Sequence, residues 1–460
     1  MSEPSGLLGE IAAAKRAELA ARFDGVSLDA LRARAPPAER SLAAAVGRPG
    51  ARFILEIKKA SPSAGPIRPG ADPAEIALGY AGVADALSVL TDGTSFGGSI
   101  GDLAAARSAF DGPILAKDFV LDPRQVAEAR LAGADAVLVM LSLLDDRSAR
   151  LMIAEAHRLG MEALVEVHDE AEMGRALALD ALLIGINNRD LRDLSVDLST
   201  TERLAGLAPG RLVISESGIA CRGDVERLSP NADGFLVGSA LMQAGEPAEA
   251  ARALVFGRVK LCGVNRAEDL EAGRAATHAG LVFVPESPRA VTLDQARSLA
   301  GGAAKAVGVF RDAPVRTVAE AAVELGLAAV QLHGDEDSDT LRALRSVLPA
   351  GCEIWKAVTV DGTVASDCDA ADRLLFDSGR GGTGRTFDWT LVRGHPALGR
   401  SFVAGGIGPD NARAASRLGT YGLDVGSGID ALPGLKSADK IRALFEALRP
   451  KGRQELRQCA

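Results

Sequence analysis

Cysteine is scarce in this 460-residue chain: five residues, at 221, 262, 352, 368 and 459, without a CxxC pair. An odd, scattered set excludes a disulfide framework and offers no zinc spacing, so no metal is expected. No apolar run reaches the ~20 residues that span a bilayer. The N-terminal MSEPSGLLGEIAAAKRAELAARF is amphipathic with interspersed acids, unlike a signal peptide. Positive charge is also short, since 52 Lys+Arg face 61 Asp+Glu and leave a net −9. A nucleic-acid surface needs clustered positive charge, so neither a nucleic-acid nor a membrane partner is expected. A cytoplasmic monomer is the expectation. An acidic chain can still hold phosphate through backbone N–H groups. Only 13 Phe, 2 Tyr and 2 Trp are present against 51 Gly. Glycine among Ala-, Val- and Leu-rich segments suits the repeated tight turns of an α/β protein.

The length implies two or three domains. Short β-branched runs alternate with Ala/Leu/Arg segments of helical period, the pattern of βαβ units. Strands are expected to begin near Phe53, Ala86, Pro113, Ala136, Glu162, Leu182, Arg211 and Gly234, 20 to 33 residues apart. A second set begins near Arg258, Ala279, Lys305, Ala328, Glu353, Arg373, Ser401 and Gly422, 20 to 28 apart. Eight units followed by eight more predict two consecutive (βα)8 TIM barrels in the α/β class rather than a doubly wound sheet. The expected domains are 1–255 and 256–460, with the seam in the helix-like EPAEAARALVFG. GRGGTG (379–384) matches a dinucleotide loop, but it follows a sixth strand and opens no apolar helix. That makes it a weak signal.

Polar residues at the C-terminal ends of barrel strands gather at one mouth. In the first half these are Glu56, Lys58, Lys117, Glu166, Asn187, Glu216 and Ser217. Glu56 and Lys58 are two apart and share a strand face. Inward charges are costly unless paired, so a salt-bridge layer is an equal reading for any one of them. Two lysines and a glutamate converging from three strands favour acid–base chemistry. SESGI (215–219) and LVGSALM (236–242) end strands seven and eight, where such barrels bind phosphate. VAGGIGPDN (403–411) and LDVGSGID (423–430) repeat the arrangement, so each half is expected to take a phosphorylated small molecule. In the second half, KLCGV puts Cys262 at the end of the first strand. A lone Cys reads as a small buried hydrophobe. Here Arg289, His333 and Asp377 stand at other strand ends, and a thiol opposite a carboxylate forms a base/acid pair. His333 reads equally well as structural, and Lys356 as an ion-pair partner.

EIKKASPS, LAKDF, LVEVHD, GINNRDL and SESGI together make the first half resemble indole-3-glycerol-phosphate synthase. KLCGV, QLHGDE and GGTGRTFDW make the second resemble phosphoribosylanthranilate isomerase, in the order of the bifunctional enzymes of tryptophan biosynthesis. The resemblance covers nearly the whole chain. It implies Lys117 as general acid of ring closure, Glu166 as the carboxylate assisting later proton transfers, and Lys58 on the substrate carboxylate. Glu56, Asn187, Arg189, Glu216 and Ser217 would line the site, and Phe96 and Phe119 would pack the anthranilate ring. Ser61, Gly218, Gly238 and Ser239 would hold phosphate. In the second barrel it implies Cys262 as general base, Asp377 as general acid, Arg289 as a clamp and His333 in the lining. Gly405, Gly406, Asp424, Gly426 and Ser427 would bind phosphate, Gly426 standing where Ser is commoner.

The implied reactions need no metal or organic cofactor. An ordinary thiol (pKa ~8.5) and an ordinary Asp (~3.9) are the wrong way round for base and acid at neutral pH. The site is therefore expected to lower the one and raise the other. Two other readings stand beside this one: fused barrels for other sugar phosphates, and a non-catalytic phosphate-binding scaffold. The aminoaldose isomerases of the first alternative use paired aspartates at strands one and five, and strand one here carries Glu56/Lys58 or Cys262.

Overall fold

Sixteen parallel strands close into two barrels in a computed structural model, which describes residues 6–361, 370–379 and 384–458. The first barrel is built from β1 (Arg52–Ile57), β2 (Ala86–Leu90), β3 (Ile114–Lys117), β4 (Ala136–Met140), β5 (Glu162–Val167), β6 (Leu183–Asn187), β7 (Leu212–Glu216) and β8 (Gly234–Val237). Each strand pairs with the next, and β8 closes on β1 with Phe53 opposite Phe235. The second is built from β9 (Val259–Cys262), β10 (His278–Val282), β11 (Lys305–Phe310), β12 (Ala329–Leu332), β13 (Glu353–Thr359), β14 (Arg373–Asp377), β15 (Phe402–Val403) and β16 (Gly422–Val425). It closes through Lys260 opposite Asp424. Every strand starts within one residue of its expected position. Gly381, Gly382 and Thr383 of the GRGGTG string lie outside the described residues, as do Cys368 and Cys459.

Local chemistry fixes the strand-to-helix turns. Asp72, Asp122, Asp145 and Asp169 in the first barrel, and Thr292 and Asp337 in the second, accept first-turn N–H groups of the following helices. Such caps fix where these helices begin beyond the strand ends. Inside the second barrel, Trp355 stacks on Phe402 with centroids 4.6 Å apart, and His278 meets both edge-on. Burial, with the surrounding Lys and Arg charges, pushes His278 down to about 3, so it is neutral in the core.

The chain divides into two units, one comprising residues up to Ala251 together with those from Pro450 onward, the other Arg252–Arg449. The expected boundary at 255/256 lies close to this division, and the segment from Pro450 groups with the first unit. The division falls inside the helix Pro247–Phe256. At the N-terminal rim of the first barrel, Asp85, Asp135 and Asp233 each accept the N–H of a residue starting the neighbouring strand, Phe53, Ile114 and Val213. Each aspartate also has an arginine. Arg52 lies 3.1 Å from Asp85 and Arg107 2.9 Å from Asp135. For Asp233 the partner is Arg453, at 3.7 Å, from the far end of the chain. Arg453 also donates to the carbonyls of Ala205 (2.8 Å) and Ala208 (3.1 Å), while Ala51 N–H donates to Pro450 O at 2.9 Å.

Candidate active sites

Burying a lysine is costly unless carboxylates surround it, and the first barrel surrounds one with three. Lys117, at the end of β3, has its Nζ 2.9 Å from Glu216, 3.7 Å from Glu166 and 4.0 Å from Glu56. Burial alone would lower its pKa, but the three carboxylates together raise it. Lys58 Nζ stands 2.8 Å from Glu56, as the shared strand face requires. Burial would raise Glu56, yet the two ammonium groups hold it below the usual carboxylate range. Glu216 goes the other way: burial, helped by Glu166 and Glu56, outweighs Lys117 and pushes it up to about 7. Two glycines make room for these carboxylates. A Cβ on Gly185 would lie 2.0 Å from Glu216 Oε1, and one on Gly238 would lie 2.2 Å from Glu56 Oε1.

These groups form the floor and walls of a cavity of about 300 Å³ at the mouth. Glu56, Lys58, Ser61, Phe96, Lys117, Phe119, Glu166, Asn187, Arg189, Ser217, Gly218, Gly238 and Ser239 all line it. Glu216, expected in the lining, is not there; it lies beneath Lys117 with 1 % of its side chain exposed. Phe96 and Phe119 face each other with centroids 6.0 Å apart. Ser217 and Gly218 are consecutive left-handed residues, φ 65° and 82°. For Ser217 that conformation is strained, and Asn188 holds it by donating to Ser217 O at 3.0 Å.

A second cavity, of about 510 Å³, opens at the mouth of the second barrel. Cys262, Arg289, His333, Asp377, Gly405, Gly406, Asp424, Gly426 and Ser427 line it. Gly405 and Gly406 have φ of 82° and 60°, and a Cβ on Gly406 would lie 2.8 Å from Gly384 O. Ser427 opens a short 3-10 turn, Ser427–Ile429. These backbone groups make a cradle of the kind that holds phosphate. Arg289 is anchored by Asp430 (2.6 Å), which Lys436 also meets at 2.8 Å. His333 Nε2 lies 3.5 Å from Asp377. Lys356 is an ion-pair partner, 3.0 Å from Glu336.

Asp424, expected at phosphate, lines this cavity with Gly426 and Ser427, and its carboxylate is held by Lys260 at 2.9 and 3.0 Å. The thiol was expected to be lowered. Burial, with Asp424 beside it, outweighs Lys260 and Lys436 and raises Cys262 above the ordinary thiol range.

Three residues of these sites escaped the reading of the sequence. Lys260 is two residues before Cys262, so the face rule that joins Glu56 to Lys58 finds it; it is fully buried. His168, inside the quoted LVEVHD, lies 3.4 Å from Glu166 and 3.0 Å from Glu172. Burial would lower its pKa, but Glu172, Glu166 and Glu216 raise it. Asn188 stands in the tandem Asn of GINNRDL, where only the first was singled out.

A charged cavity and a thiol-bearing cavity, each at the mouth of its own barrel, define a bifunctional (βα)8-barrel enzyme. Comparison with known proteins names the two halves. Residues 8–254 match the family model of indole-3-glycerol phosphate synthase, and residues 259–447 match that of N-(5'-phosphoribosyl)anthranilate isomerase. The "Tryptophan biosynthesis protein TrpCF" of Yersinia pestis is 48% identical over 402 residues, covering 86% of this chain and 84% of its own. That of Salmonella typhi is 48% identical over 407 residues, covering 87% and 90%. A solved phosphoribosyl anthranilate isomerase from Thermus thermophilus is 36% identical, with a TM-score of 0.39, over 42% of this chain and 98% of its own. The chain belongs to the TrpCF family of bifunctional tryptophan-biosynthesis enzymes, with a synthase domain followed by an isomerase domain.

Proposed function

We propose that the second barrel isomerises N-(5'-phosphoribosyl)anthranilate to the carboxyphenylamino-deoxyribulose phosphate, and that the first closes this product to indole-3-glycerol phosphate. The observation that carries the reading is Lys117, a cavity-lining ammonium within 2.9–4.0 Å of three carboxylates at the mouth of the first barrel. Such a group stays protonated until a substrate takes its proton. In the isomerase, Asp377 gives a proton to the furanose ring oxygen as the ring C–O bond breaks and the anthranilate nitrogen forms an iminium. Cys262 then removes the proton from the sugar's second carbon, and the enolamine tautomerises to the aminoketone. Lys260 and Lys436 are the cations that favour the thiolate this step needs. Arg289 clamps the substrate beside His333, and the Gly405–Gly406 and Gly426–Ser427 cradle takes the phosphate.

In the synthase, Lys117 protonates the ketone as the anthranilate ring attacks it. Lys58 meets the substrate carboxylate, whose loss as carbon dioxide restores the benzene ring. Lys58 then protonates the hydroxyl, which leaves as water, and Glu166 takes the methylene proton whose loss completes the indole ring. Glu56, Asn187 and Arg189 complete the walls, and Ser61, Gly218 and Ser239 hold phosphate. The reading includes functional domains at 1–255 and 256–460, small phosphorylated substrates and a cytoplasmic monomer. Among the described residues no helix is long and apolar enough to cross a membrane. Supplying phosphoribosylanthranilate should extinguish anthranilate-type fluorescence and release indole-3-glycerol phosphate. A chain that binds the substrate without turning it over would leave only the phosphate-binding scaffold.

A further inference from the structure

The helix Gly6–Arg22 turns one face inward, where Ala12, Lys15 and Leu19 are buried at helical spacing, followed by buried Phe23 just past its end. A lysine in such a stripe is out of place unless it is paired. Lys15 is 2 % exposed, and its Nζ lies 2.6 Å from Asp92, 3.0 Å from Asp118 and 2.9 Å from Glu18. It does not line the cavity, but both aspartates belong to segments that do. Asp92 caps the short helix Gly93–Phe96 by accepting from Ser95 N–H at 2.6 Å, and so sets where Phe96 stands. Asp118 sits between Lys117 and Phe119, takes the N–H of Phe119 at 2.8 Å and accepts from Thr91 Oγ1 at 2.7 Å. Thr91 N–H in turn donates to Lys117 O at 3.1 Å. One ammonium therefore ties together the two segments that carry the facing rings, and two buried carboxylates that would otherwise repel each other are held side by side.

We infer that Lys15 is a positioning residue of the synthase, which sets the width of the Phe96–Phe119 slot and the place of Lys117 from outside the cavity. The inference rests on the reading that this slot takes the substrate's aromatic ring. Without the pin, Asp92 and Asp118 separate and the slot loosens, so binding of the aminoketone suffers more than its chemistry.

The test uses the full chain with Lys15→Met, which keeps the stem, and Lys15→Arg, which keeps the charge but moves its centre. In Lys15→Met, KM for the aminoketone should rise about tenfold or more with kcat reduced by less. In Lys15→Arg the rise in KM should shrink to twofold to fivefold, and isomerase turnover should be unchanged in both. A KM within twofold of the parent in Lys15→Met overturns the inference, as does a fall in kcat alone that Lys15→Arg does not restore. If Lys15→Met is insoluble, Lys15→Arg decides by itself: a twofold to fivefold rise in KM supports the pin, and an unchanged KM removes it. Lys117→Met, run alongside, separates the two claims. Should it keep full synthase activity, the assigned acid is wrong, whereas the KM shift at Lys15 still reports the slot.

Discussion

The two barrels use one construction rule with opposite electrostatic results. In each, the end of the first strand brings together two polar residues two apart, Glu56 with Lys58 just past the strand in one, Lys260 with Cys262 in the other. In each, partners come from the other strand ends. The first barrel sets three carboxylates around Lys117, so negative charge is in excess and the ammonium keeps its proton. The second sets Asp424 against Lys260. That pair cancels itself, and the thiol between them is governed by burial. A proton donor needs an excess of opposite charge around it, and a thiol base beside a neutralised pair stays protonated until something shifts the balance.

The sharpest break between the barrels is a crossed pair of substitutions. Lys117→Met should reduce synthase kcat by about 10²–10⁴-fold and leave the isomerase alone. Cys262→Ser should do the reverse by a similar factor, assayed on phosphoribosylanthranilate and on supplied aminoketone separately. If either variant lowers both rates together, the two sites are not independent and the comparison fails.

A smaller effect tests the balance around the thiol. Because Cys262 is held above the ordinary thiol range, isomerase kcat/KM should rise with pH through ~8.5 rather than level off below 7. Asp424→Asn removes the neighbouring negative charge and should move that rising limb down by about one pH unit. Lys260→Met removes the cation and should move it up by a similar amount. A limb that ignores both substitutions would mean that another group is titrating.

The third contrast concerns stability at the opposite rim. Arg453→Ala removes the tail's bonds to Ala205 and Ala208 and leaves Asp233 without this partner. The first unit should lose about 1–3 kcal/mol. Heated samples should therefore lose synthase activity several degrees earlier than the parent, with isomerase inactivation unmoved. Equal shifts in both activities, or none, would remove the tail from the first barrel's support. For the same reason a 1–255 fragment should be soluble but less heat-resistant than the synthase in the full chain.

What was legible in the sequence follows from distance along the chain. Strands and their ends are local patterns, so all sixteen starts could be read to within a residue, and with them the residues that face the mouths. Pairings are not local. Lys15 reads as an ordinary polar residue of an amphipathic helix until Asp92 and Asp118 fold against it. Glu216 looks like lining until Lys117 covers it. Asp424 in LDVGSGID reads only with the glycines beside it until β16 pairs with β9 and sets it against Lys260. The direction of the thiol's shift was misread for a related reason. Nearby cations can be anticipated from KLCG, but the burial that outweighs them belongs to the closed barrel.

The chain's return at Pro450 sets a timetable for its own synthesis. The strands of the synthase barrel have all been translated by Val237, whereas Arg453, which meets Asp233, follows Ala251 by roughly 200 residues. At ~5–20 residues per second that interval is about 10–40 s. During it the first barrel stands without the tail's contacts to Asp233, Ala205 and Ala208, while an entire second barrel is made. A segment translated after the whole second barrel thus belongs to the unit translated before it.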